Sequence, residues 1–378
     1  MGAVNFVTTI FWMRAPGMTF FRMPVFVWLV LSAQLLQLVN LPSLTGALIL
    51  LLFDLNFGMQ FFKPLENGDP IIYQHLFWFY SHPAVYIMTL PAFGIFAEVL
   101  PAFSRNPLFG YRSLAVASLG IAVVSIFVWV HHMFTSATPS WMRILFIVTS
   151  ILVAVPRGVK AFGWTATIWK SKLHLEIPML FAMGGAAMFL LGGVTGVMLA
   201  AVPFDIHIHN THFIVGYFHY IVFNTITMAI FTAIYFWFPK ITGRMYPEGW
   251  GKLHFWLTFI SANLTFFPML PVGLQGIVRR ISSYDRRYQG WNVIASLGGF
   301  LLGVSILPFI GGNMVGSWLY GTRAVKNPWH ATGLEWTTTS LPPQDNFDEI
   351  PVVKRPPCDY GYPKYSVIEP PDYHQLEH

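Results

Sequence analysis

Eight stretches of this chain run for about 20 residues or more with almost no charge: roughly 24–53, 71–97, 113–134, 144–168, 178–203, 212–238, 254–275 and 293–318. A helix rises about 1.5 Å per residue, so such runs match the hydrocarbon thickness of a bilayer. The expected fold is therefore all-α, a polytopic transmembrane helix bundle. Composition agrees, with 10% charged residues and a mean hydropathy of +0.56, where an ordinary soluble domain carries about 25% charge. Residues 1–320 read as the bundle. The polar, proline-rich stretch 321–378 reads as an extended cytoplasmic tail, with Pro342, Pro343, Pro351, Pro356, Pro357, Pro370 and Pro371. Met1 to Trp12 is apolar but too short to cross. It reads as the end of a helix whose beginning lies outside this sequence, not as a signal peptide, since no basic segment precedes it.

Polar groups at membrane depth are costly and are usually retained for function. The run Trp78-Phe79-Tyr80-Ser81-His82-Pro83-Ala84-Val85-Tyr86 carries one imidazole, and a second run carries His131-His132. Any one of these could be a core histidine satisfied by a neighbouring carbonyl; three together point to a metal. Residues i and i+4 share a helix face, so His82 and Tyr86 aim at one spot, as a metal ligand beside a redox-active phenol would. Neutral imidazoles suit copper, zinc or iron. A third stretch, His212-Phe213-Ile214-Val215-Gly216-Tyr217-Phe218-His219-Tyr220, places Tyr217 and His219 about 200° apart round a helix, facing two different neighbours. Just before it, Asp205-Ile206-His207-Ile208-His209-Asn210 lies at the membrane edge. Its histidines could hold a hard or borderline metal, or could be wet loop residues.

The positive-inside rule orients the bundle. Loops with Arg14 and Arg22, Arg105 and Arg112, Lys170 and Lys172, Lys240, Arg244 and Lys252, then Arg323 and Lys326, form the cytoplasmic or matrix side. The cluster Arg279, Arg280, Arg286 and Arg287 falls on the outer side and breaks the rule. An outer Arg279-Arg280 pair at a span end is explained by bound anions, because guanidinium pairs bidentately with carboxylates. The formal charge of +6 suits an anionic lipid surface. No nucleic-acid pattern is present, and the single Cys358 excludes an internal disulfide.

These motifs, in this number and order, resemble subunit I of the heme-copper oxidases. The likeness runs from Asn5-Phe6 through Gly68-Asp69-Pro70 and Gln74-His75-Leu76-Phe77-Trp78 to His131-His132-Met133-Phe134-Thr135. It continues through Gly158-Val159-Lys160 to Arg279-Arg280 and Asn327-Pro328-Trp329. The resemblance implies a twelve-helix fold, of which this chain would supply about eight spans and a stub, with a further polypeptide supplying the rest. It implies a subunit that reduces dioxygen to water with coupled proton translocation, in a bacterial cytoplasmic or mitochondrial inner membrane. His82, His131 and His132 would bind copper B. Tyr86 would crosslink to His82 and give an electron and a proton to oxygen. His219 would ligate a low-spin heme, a-type by the resemblance, and Tyr217 stands at the proximal position of a high-spin heme. Trp78 would line the cofactor site, Arg279, Arg280 and Asp205 would meet the heme propionates, and His209 would bind magnesium. Lys160 would carry protons toward Tyr86, and Tyr80-Ser81 with Ala84 matches the subclass that runs its other proton path through Tyr-Ser. Oxidase subunits II and III are the implied partners, with cytochrome c or quinol as donor. The sequence carries no cysteine-based copper centre and no c-type heme attachment motif, so electrons come from another subunit.

Departures from the pattern keep a second reading open. Tyr217 stands where the family has histidine, Arg157 where a small hydroxyl residue is usual, and Asn210 where aspartate is usual. A fixed guanidinium near Lys160 is expected to impede proton uptake. The alternative is a diverged, non-catalytic membrane subunit that keeps the fold for assembly or electron transfer.

Overall fold

The computed structural model describes residues 1–358 and 360, and among these every named element is helical. The order begins with α1 (Gly2–Trp12), α2 (Val25–Asn56), α3 (Pro70–Ser104) and α4 (Tyr111–Ser125). Next come α5 (Ser140–Leu152) running into α6 (Ala154–Ile168), α7 (Ile177–Leu199) and the short α8 (Val202–Ile208). The last spans are α9 (His212–Phe218) with α10 (Thr225–Thr242), α11 (Glu248–Phe266) with α12 (Met269–Leu274), and α13 (Gln289–Val304) leading to α14 (Gly316–Leu319).

Among the described residues, seven helices are long and apolar enough to cross a membrane, as expected of an integral membrane bundle. The expected third span, 113–134, is the exception. Its α-helix stops after 15 residues, the backbone leaves α geometry at Val128 (φ −128°, ψ −4°), and a 3-10 turn covers Trp129–Met133. A continuous helix would fix its side chains along one straight axis. The break turns His131 and His132 toward α3 instead. Local chemistry sets other ends: the Asp69 carboxylate caps α3 by accepting from Ile71 N, ahead of Pro70 in the first turn, and the Thr211 hydroxyl caps α9.

Helix α3 is the axis of the bundle. It packs along α2 and meets α7, α10, α6 and the 3-10 turn, and Phe93, Phe96 and Phe103 on it are almost fully buried. Between helices, association in lipid depends on close packing, which small residues permit. Gly192 on α7 shows this: a Cβ there would lie 2.8 Å from Ile221 Cδ1. Between α9 and α10 the chain forms a π turn over His219–Asn224, the kind of local widening that is common at functional sites.

The described part of the proline-rich stretch is docked on the bundle. Arg105 donates to the carbonyls of Trp329 (2.6 Å) and His330 (3.0 Å), and Lys240 Nζ to those of Lys326 (2.9 Å) and Thr338 (2.8 Å). Trp329 and Trp336 are buried. The backbone is irregular, with turns, bends and a 3-10 turn over Leu334–Thr337, and its indoles have apolar partners and its carbonyls have cationic ones. The last residues of that stretch, including Pro370 and Pro371, lie outside the described residues.

Candidate metal centre

His82 is buried in mid-span on α3, and the chain reversal after α4 brings His131 and His132 against it. Ring centroids of His82 lie 4.5 Å from His131 and 5.3 Å from His132. The three candidate ligand nitrogens all lie within 4.8 Å of one another, so one point exists no more than about 2.8 Å from each, near metal–nitrogen bonding distance. His82 Nδ1 faces His132 Nε2 at 3.1 Å. His82 Nε2 is buried with no hydrogen-bond partner, beside the Tyr86 ring at 4.9 Å between centroids. Three imidazole nitrogens converging at this separation form a donor set that a copper ion could occupy, and the residues fit it.

Two neighbours hold the ligands in place. Trp78 stacks on His132 with centroids 3.9 Å apart and planes 4° from parallel. Ser150 Oγ, on α5, lies 2.8 Å from His131 Nδ1, which leaves that ring's other nitrogen for the cluster. Ser150 was not singled out from the sequence. Its only signal is a hydroxyl in an apolar helix, and many such hydroxyls simply back-bond to their own turn.

The histidines line one wall of a cavity of about 320 Å³. Tyr86, Arg157, Gly196, Asp205, His209 and Tyr217 also line it, and so does Arg279. Arg157 Nη2 donates to the Tyr86 hydroxyl, and its guanidinium sits 4.8 Å from the centre of the Tyr86 ring. Tyr217 lines the same cavity as that guanidinium. Two residues that look like separate departures in the sequence thus face one space. Tyr217 presents an oxygen donor to the cavity, and tyrosine oxygen is an established ligand of heme iron, so the residues fit a high-spin heme with an oxygen ligand.

His219 faces away from this cavity, as its spacing from Tyr217 requires. Its ring stacks on Phe266, with centroids 4.4 Å apart at 14°, and its Nδ1 is 2.7 Å from the Val215 carbonyl. That bond fixes the tautomer and directs Nε2 outward, which fits an axial heme ligand. Lys160 is buried, one turn beyond Arg157 on α6, with Nζ donating to the Leu114 carbonyl at 2.6 Å. It does not line the cavity, whereas Arg157 does. His209 Nδ1 is 2.6 Å from an Asp205 carboxylate oxygen, and Asn210 accepts from Arg279 at 3.1 Å. Each of these two oxygens meets a protein donor, and a magnesium ion at such a place would keep several of its own waters. Arg279 reaches the cavity, whereas Arg280 is exposed and outside its lining.

Residues 1–301 match the family model described as cytochrome C and quinol oxidase polypeptide I. The chain is 52% identical to cytochrome c oxidase subunit 1 of Synechocystis over 96% of its length, covering 65% of that relative. It is 49% identical to the Thermostichus vulcanus subunit 1 over 100% of its length, covering 68% of that protein. A solved heme-copper terminal oxidase dimer superposes with a TM-score of 0.70 at 20% identity, over 80% of this chain and 58% of that one, which supports the fold. The chain spans about two thirds of the length of these curated relatives. On the family match and on near-complete coverage at about 50% identity, this chain belongs to the cytochrome c and quinol oxidase polypeptide I family.

Proposed function

We propose that this chain acts as the catalytic subunit of a respiratory terminal oxidase, reducing dioxygen to water with four electrons and four protons while translocating further protons. The observation that carries this reading is the convergence of His82, His131 and His132 beside Tyr86 inside a membrane bundle. Copper and heme, when bound, supply the oxygen-binding and electron-transfer chemistry. The protein residues do the rest. Trp78 and Ser150 orient the copper ligands. Tyr86 stands at the metal with its hydroxyl held by Arg157, placed to deliver a proton and an electron to the cavity. The unpartnered His82 Nε2 next to its ring supports the crosslink that the family resemblance implies. Lys160 stores a proton at the cytoplasmic side of that tyrosine, and His219 holds the low-spin heme that relays electrons. Other oxidase subunits supply those electrons from cytochrome c or quinol.

One observation favours the non-catalytic alternative: Arg157, a fixed charge, donates to the hydroxyl of Tyr86, while Lys160 turns its Nζ to the Leu114 carbonyl. The two readings separate in the complex purified from its own membranes. Oxygen uptake driven by a reduced donor, lost by at least about 100-fold in Tyr86→Phe with copper retained, matches a proton and electron donor role. A complex that holds copper but consumes no oxygen supports the alternative.

A further inference from the structure

We propose that Arg157 binds a small monovalent inorganic anion, of the chloride kind, inside the cavity beside Tyr86. The site goes beyond the oxidase reading and does not depend on it, since anion binding is read without turnover.

Charge calls for such an ion. Arg157 lies within the membrane-spanning stretch Ser140–Ile168 and lines the cavity. Among the described residues no carboxylate forms an ion pair with it. A guanidinium at this depth keeps its charge, and it is costly without an opposite one. Of the residues lining the cavity, only Asp205 carries a carboxyl group, and that carboxylate meets His209 at 2.6 Å. Counting imidazoles as neutral, the lining sets Arg157 and Arg279 against Asp205 alone, two cations against one anion.

The donors point the same way. Arg157 Nη2 donates to the Tyr86 oxygen, so the phenol's own proton turns elsewhere, and the guanidinium keeps further N–H groups. Tyr217 brings a second phenol. Its hydroxyl lies against Gly196, where a Cβ would be 3.3 Å away, and both residues line the cavity. A guanidinium and two phenols, from α6, α3 and α9, make a set rich in donors, which suits an anion.

The surroundings set the class. Val85, Val153, Leu199 and Ile214 supply apolar walls, where a charge pair is screened less than in water. One excess positive charge, in a cavity shared with the three imidazoles, favours a compact monovalent ion over a phosphate.

The test is equilibrium dialysis of the intact purified complex against labelled chloride in a gluconate medium. Chloride in equal number to the chain, displaced by bromide, is the expected result. Arg157→Leu should weaken it by about 10- to 100-fold, the range for losing a charged hydrogen bond. Arg157→Lys, which keeps the charge, should stay within a few-fold of the unaltered protein, and Arg279→Leu should leave chloride bound. Bromine K-edge absorption of the bromide form should show nitrogen and oxygen neighbours and no metal. Bromide at bonding distance from copper or iron, loss in Arg279→Leu but not in Arg157→Leu, or no chloride above the Arg157→Leu level would each overturn the site while leaving the oxidase reading intact. Should Arg157→Leu not assemble, the bromine spectrum of the unaltered protein and the Arg279→Leu comparison still decide.

Discussion

Removing the indole of Trp78 should loosen the copper site without touching a ligand. The ring lies flat on His132 at 3.9 Å and 4°, a stacked contact that fixes the imidazole plane relative to His82 Nδ1, 3.1 Å away. Aromatic pairs are worth about 0.5–1.5 kcal/mol beyond burial. If all of that energy serves to hold His132 in its binding orientation, Trp78→Ala should weaken copper by about 2- to 13-fold, since 1.4 kcal/mol is about tenfold. This sits at the low end of the losses seen when outer partners of metal ligands are removed, about 10- to 100-fold. Trp78→Phe keeps a stacking face and should recover most of the loss. The assay is competition for copper with a calibrated chelator in the purified complex, with His132→Ala as the reference for losing a ligand. Affinity unchanged in Trp78→Ala, or weakened as severely as in His132→Ala, would refute the orienting role.

Further substitutions probe the other parts of the site. Lys160→Met should leave copper bound, because Nζ donates to the Leu114 carbonyl and the residue lies outside the lining of the histidine cavity, yet slow reduction of the oxidised centre by about 100-fold or more in stopped-flow experiments. Gly196→Ala puts a methyl 2.8 Å from Tyr217 Cε2, and overpacking of this kind costs about 1–3 kcal/mol; a displaced Tyr217 should alter the cavity-side heme spectrum while leaving the His219 heme unchanged. His219→Ala should remove one heme per complex, counted by pyridine hemochrome, and preserve copper. Burial holds the Glu335 carboxyl above its ordinary value of 4.5, so its protonated form favours the docked state, and that contribution is lost as pH rises above 4.5 through the raised value. Hydrogen exchange across 321–358, corrected for intrinsic rates, should therefore be faster at about pH 8 than at about pH 5, and Glu335→Gln should flatten the difference.

Much of the architecture is legible because lipid imposes a blunt rule: apolar runs of spanning length become helices. The copper ligands follow from the same economy, since His82 and Tyr86 at i, i+4 must share a face whatever surrounds them. Other features depend on contacts across the chain and leave no local trace. The hydropathy of 113–134 is continuous, so nothing in it marks the turn at Val128 that delivers His131 and His132 to α3. The docking of Trp329 and Trp336 is hidden by a polar composition whose carbonyls find Arg105 and Lys240 far away in sequence. Arg157 and Tyr217 each stood out as departures, yet read separately they suggested only damage. Both line one cavity, from α6 and from α9, and a juxtaposition at that separation is visible only once the helices are packed.

Copper K-edge absorption of the purified complex reports whether three imidazoles hold a copper ion inside the bundle. The expected result is about one copper per chain, with imidazole-type scattering from three nitrogens at about 2.0 Å, and loss of that signal on replacing His82, His131 or His132 with alanine. Copper that is absent, or that keeps an unchanged spectrum in all three variants, would contradict it.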